Sequence, residues 1–171
     1  AIQRDVKSLA ALELMQLLAA AQPLTTAGRD ALERLKAWDG TMAPERPEPL
    51  LFHAWRRELA SRIFGDDFGD LATDFVVNEE MTRPLLHVLS GKARGRNWCD
   101  DRTTEQRFET CTILMSEALD TAVARLAEAS GRDVAGMRWG DHHLAIAEHR
   151  PLSSVPVISR LFEFRTPYPG D

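Results

Sequence analysis

Residues able to do chemistry crowd one part of this sequence. It reads Asn97-Trp98-Cys99-Asp100-Asp101, Glu109-Thr110-Cys111, Met137-Arg138-Trp139-Gly140-Asp141-His142-His143 and Glu148-His149-Arg150-Pro151-Leu152. Both cysteines, three of the five histidines and two of the four tryptophans fall there. The metal-like group is Asp141-His142-His143 with Glu148-His149. On a helix, His142 and His149 would share a face two turns apart. On a strand, His143 and His149 would lie about 20 Å apart, too far for one ion. The H-E-x-x-H spacing of zinc hydrolases is absent. The tract therefore reads as structural, with His142 and His143 as hydrogen-bond donors, and no metal ligand or cofactor is expected.

Nucleophilic chemistry is no better served. Ser153 and Ser154 follow His149 but stand in no G-x-S-x-G elbow. Cys111 falls in an apolar stripe that disfavours a thiolate. His53 and His87 read as satisfied, partly buried histidines. Asp100, Asp101 and Glu105 read as charges placed to favour the start of a helix. No catalytic residue is assigned. Eleven residues lie between Cys99 and Cys111. Two free buried thiols suit the pattern, as does a disulfide closing a short loop, worth about 3 kcal/mol. Zinc would need closer spacing and further ligands.

The elements that must position these residues are mostly helical. Val6, Leu9, Ala10, Leu14, Leu17 and Leu18 recur near the 3.6 period, giving a helix over Asp5–Ala21 with Asp5 as N-cap. Thr26–Trp38 is a second helix, closed by the Asp39-Gly40 turn. Pro44, Pro47 and Pro49 make residues 43–49 extended. Leu50–Phe64 is helical, with Gly65 at its end. Residues 68–89 read as two short helices broken between Asn78 and Pro84. Lys92, Arg94 and Arg96 mark a solvated basic loop. The longest helix is expected over Thr104–Ser130, opened by a Thr103-x-x-Gln106 capping box and ended by Gly131. Its stripe is Phe108, Cys111, Met115, Leu119, Ala122 and Leu126. Beyond Gly131, Leu144 and Ile146 alternate as in a strand, and Leu152–Phe164 carries further apolar residues. The fold class is mainly α with a short extended part near the C-terminus, over residues 1–171 as one unit.

At 171 residues the chain can bury a sizeable core. Hydrophobic residues make up 44% and charged residues 27%, as in ordinary globular proteins. The net charge of −5 leaves no basic footprint for nucleic acid. No apolar run approaches a membrane span.

The same tract, with Trp38-Asp39-Gly40 and Leu51-Phe52-His53-Ala54-Trp55, resembles the penicillin amidase family, which includes acyl-homoserine lactone acylases. The resemblance runs from Ile2-Gln3-Arg4-Asp5-Val6-Lys7-Ser8 to Pro167-Tyr168-Pro169-Gly170-Asp171 and fits an internal segment of the family's β-chain. It implies an N-terminal nucleophile hydrolase as parent, cleaving linear amides in the periplasm. That setting favours a Cys99–Cys111 disulfide. The family's nucleophile is a Ser, Cys or Thr at the β-chain's free N-terminus, where this chain has Ala1. The oxyanion-hole Asn and its nearby Arg would lie upstream. The expectation is therefore a structural segment, inactive alone, whose partners are the remaining α- and β-chain segments. Phe52, Trp55 and Phe75 are candidates for the acyl-pocket wall. Either self-association or an apolar patch near the C-terminal strand is expected. The alternative is a non-catalytic helical interaction module.

Overall fold

The computed structural model describes residues 6–72, 79–104, 106–148 and 163–170. Among them run five α-helices: α1 (Leu9–Leu18), α2 (Thr26–Ala37), α3 (Glu48–Phe68), α4 (Thr82–Leu89) and α5 (Cys111–Ser130). Strands β1 (Leu144–Ala147) and β2 (Phe164–Pro167) pair antiparallel, with Leu144 opposite Pro167 and Ala147 opposite Phe164. The architecture is mainly α with a short extended part near the C-terminus, as the periodicity implied. Asp5, Phe75, Asn78, Glu105, His149 and most of 152–164 lie outside the described residues.

The core forms where α3 lies against α5. Leu51, Phe52, Trp55, Leu59 and Ile63 of α3 are buried against Leu114, Met115, Ala118, Leu119 and Ala122 of α5. Trp55 lies wholly inside and donates its Nε1–H to the Met115 carbonyl at 3.2 Å, so its one polar atom is satisfied. Two acids on α3 are buried and paired. Glu48 meets Arg34 at 3.2 Å and Arg46 at 2.9 Å, while Glu58 meets Arg62 at 3.2 Å and Arg125 at 2.5 Å. Each acid has two cations, so only the loss of both would strand its buried charge.

α5 also organises the turn between α1 and α2. The Ser116 hydroxyl accepts from the Gln22 amide at 2.8 Å. The Asp120 carboxylate accepts from the Leu24 and Thr25 amides at 2.8 and 3.2 Å and from the Thr25 hydroxyl. Thr25 in turn caps α2 through the Gly28 amide at 2.9 Å. A Cβ at Gly28 would stand 2.0 Å from the Asp120 carboxylate and 2.9 Å from Pro23, so only glycine fits.

Several boundaries differ from the sequence expectation. α1 starts at Leu9, capped by Ser8, whose hydroxyl accepts from the Ala11 amide at 3.2 Å, rather than by Asp5. α3 passes through Gly65 and stops at Gly69, whose φ of +51° a residue with a Cβ adopts at a cost. α4 begins before Pro84, which sits in its first turn where a proline is tolerated. The largest correction concerns α5, which starts at Cys111 with Thr110 as N-cap, not at Thr104 behind a Thr103 capping box. The Thr103 hydroxyl is engaged by Asp101 instead, at 2.7 Å. Phe108 therefore lies outside the helix and its apolar stripe.

Candidate functional site

Cys99 and Cys111 form a disulfide with Cα atoms 5.0 Å apart. It closes the loop between α4 and α5 at its base, with the Cys99 side chain buried. Glu109, which the sequence left without a role, is 2% exposed and organises the loop. Its carboxylate accepts from the Asp101 amide at 3.3 Å and from the Thr104 hydroxyl at 3.1 Å. Its own amide donates to Asp100 at 3.1 Å, and its carbonyl accepts from the Asn97 side chain at 3.3 Å. The acids Asp100 and Asp101 thus cap this loop and do not precede a helix. The Thr103 hydroxyl and amide both donate to Asp101 and hold its carboxyl below the usual carboxylate range.

In the basic stretch preceding the loop, Lys92 and Arg94 are exposed as expected, whereas Arg96 is engaged. Arg96 pairs with Asp66 at 3.7 Å and with Asp67, and its guanidinium lies 4.4 Å over the Trp98 ring. Arg102 reaches the same two acids at 3.2 and 2.6 Å. Trp98 is half-buried and packs on Phe64 of α3 at 6.1 Å.

A second assembly surrounds Trp139. Its indole is stacked between the imidazoles of His53, at 4.7 Å, and His143, at 4.5 Å. Its Nε1–H donates to the Gly170 carbonyl at 3.2 Å and its amide to the Arg46 carbonyl at 2.9 Å. His143 Nδ1 lies 2.9 Å from the Tyr168 carbonyl. A carbonyl only accepts, so Nδ1 carries the proton in this arrangement. Gly140 packs so closely that a Cβ would fall 2.8 Å from Pro167 and 2.9 Å from Pro44. The segment 139–141 is thus wedged between the proline-rich connection and the C-terminal strand. His143 works here as a structural donor, as the sequence implied. His142 and His87 are exposed, which corrects the partly buried reading of His87.

The candidate wall residues fall in the interior. Phe52 lies 5.7 Å from Trp38 and 6.3 Å from Trp55, and both Phe52 and Trp55 are buried. Phe52 borders a void of about 20 Å³ with Ser8, Ala11 and His53. A cleft of about 800 Å³ opens between α2, α5 and residues 131–135, and its lining carries no hydroxyl, thiol or imidazole. Among the described residues no cluster of three or more His, Cys, Asp or Glu could hold a metal ion. No described helix is long and apolar enough to cross a membrane.

These features define a mainly helical chain stapled by one disulfide. The chain belongs to the penicillin amidase family, whose model matches residues 1–171. It is 31% identical over 166 residues to the acyl-homoserine lactone acylase QuiP of Pseudomonas putida, covering 84% of this chain and 20% of that protein. The QuiP of Pseudomonas fluorescens is 28% identical over 163 residues, again covering 84% of this chain and 20% of the relative. The chain thus spans about a fifth of the length of these curated relatives.

Proposed function

We propose that this chain is a scaffold segment of the β-chain of an N-terminal nucleophile amidohydrolase. The parent enzyme cleaves a linear amide, releasing an acyl group from an amine such as homoserine lactone or a β-lactam nucleus. The observation that carries this reading is the match of the penicillin amidase family over the whole chain. The likeness to acyl-homoserine lactone acylases supports the substrate class. In this reading the nucleophile and its α-amine base are supplied from the part of the relatives' length that this chain does not cover. The disulfide supports a periplasmic setting, since such bonds persist there.

In this reading the segment buttresses the catalytic layers, and Phe52, Trp55 and Phe75 shape the acyl pocket. Burial suits Phe52 and Trp55 to support from behind, by fixing the path of α3. The test is to express the full-length protein and follow release of homoserine lactone from a long-chain acyl-homoserine lactone by mass spectrometry. Release that disappears when the N-terminal nucleophile of the β-chain is replaced by Ala supports the reading. A full-length protein that processes itself but hydrolyses neither this substrate nor a phenylacetyl amide contradicts it.

A further inference from the structure

Ordering a loop costs conformational entropy, and the described residues 97–104 and 106–110 are held from several directions at once. The disulfide holds their base, the buried Glu109 gathers Asp101 and Thr104, and Arg102 ties them to Asp66 and Asp67 on α3. Arg107 is bound to Glu117 on α5. Phe108 stands between Arg107 and Glu109, the one engaged and the other buried, yet its own ring is 69% exposed. The ring lines a hollow of about 480 Å³ whose other walls are Asp100, Asp101, Arg102, Thr104, Gln106 and Arg107, with no second apolar side chain among them.

We infer that Phe108 is a docking anchor, held out in advance to fill an apolar pocket on the part of the same polypeptide that lies outside these 171 residues. Aromatic side chains on pre-ordered backbone dominate interfaces, because little freedom remains to be lost on docking. The occupant follows from the lengths. The chain spans about a fifth of its relatives, so a parent of similar size supplies far more polypeptide, covalently linked and at high effective concentration. The chemistry of the partner follows from the charges. Arg102 and Arg107 are already paired within the chain, while Asp100 and Asp101 accept from the Glu109 amide and the Thr103 hydroxyl, so this surface offers an apolar ring beside two carboxylates and suits an apolar pocket without acids at its rim. The inference rests on the reading of the chain as a segment of a longer acylase.

The test places a thiol at the anchor. Phe108→Cys is made in the 171-residue chain and in the full-length protein, and maleimide labelling is followed at that peptide by mass spectrometry. Rapid labelling in the short chain and labelling slowed at least about tenfold in the full-length protein is the expected result. Equal rates in the two forms would overturn the anchor. So would protection in the short chain that grows with its concentration, which would assign the ring to a second copy. Protection in the full-length protein that appears only with added acyl product would assign it to ligand instead. Acylase turnover of the unsubstituted full-length protein is measured alongside. Lost turnover with retained protection breaks the enzymatic reading alone, and exposure with retained turnover breaks the anchor alone.

Discussion

Residues 97–104 and 106–110 belong to a loop closed at its base by a covalent bond and drawn onto α3 by Arg96 and Arg102. The β1–β2 pair instead reaches the helices through one indole, stacked between His53 and His143, and through backbone hydrogen bonds from residues 139–143 and 168–170. The loop is polar and wired by charge, and it leaves a single aromatic ring in water. The strand pair leaves several apolar side chains there, with Ile146 50% and Phe164 67% exposed. The sequence expectation is either self-association or an apolar patch near this strand. The difference teaches that covalent bracing is used where there is little hydrophobic surface to bury, and that stacking suffices where the tether itself is a buried Trp.

The comparison breaks most visibly at Trp139. Trp139→Ala removes the shared partner of two imidazoles and the donor to Gly170, and should cost about 3–5 kcal/mol. Hydrogen exchange should then speed up in β1 and β2 while the amides of 100–110 keep their protection. Equal loosening of both regions would show that they are not independently attached.

Replacing both cysteines, Cys99→Ser with Cys111→Ser, should cost about 3 kcal/mol, with faster exchange in the loop and an unchanged strand pair. Intact mass before and after reduction of the parent chain should differ by two protons. Two thiols alkylated in the unreduced, denatured protein would remove the bridge from this account.

Glu109→Gln sharpens the comparison within the loop. It keeps shape and one acceptor but loses the negative charge shared with Arg107 at 3.4 Å, so about 1 kcal/mol is expected from thermal melts. A neutral outcome would shift the loop's order onto the disulfide alone.

The smallest effect is that of acid. Folding lowers the proton affinity of the Asp101 carboxyl through the Thr103 hydroxyl and amide. Its contribution is therefore complete above the unfolded pKa and is lost as pH falls through the lower folded value. Exchange at Thr103 should rise below the normal carboxylate range in the wild type and be insensitive to that change in Asp101→Asn.

Much of the fold was legible because burial follows helical period: α2, α3 and the body of α5 appear as apolar recurrences. The start of α5 was not. Thr103-x-x-Gln106 has the local spacing of a capping box, but Asp101 takes the Thr103 hydroxyl and Glu109 the Thr104 hydroxyl, and the chain turns helical only after Thr110. Such side-chain contacts leave no periodic mark. The Trp139–His143 pair, four residues apart, is joined by the distant His53, so their types hinted at structure without naming that partner. The cysteines were legible as a pair, and the family resemblance decided between thiols and a bridge.

The central proposal is that this chain serves as a scaffold segment and does not hydrolyse amides alone. The purified 171-residue chain should be incubated with a chromogenic phenylacetyl amide and with a long-chain acyl-homoserine lactone, at high protein concentration and over hours. The account predicts hydrolysis no faster than in buffer. Turnover that scales with chain concentration and survives repurification would contradict it.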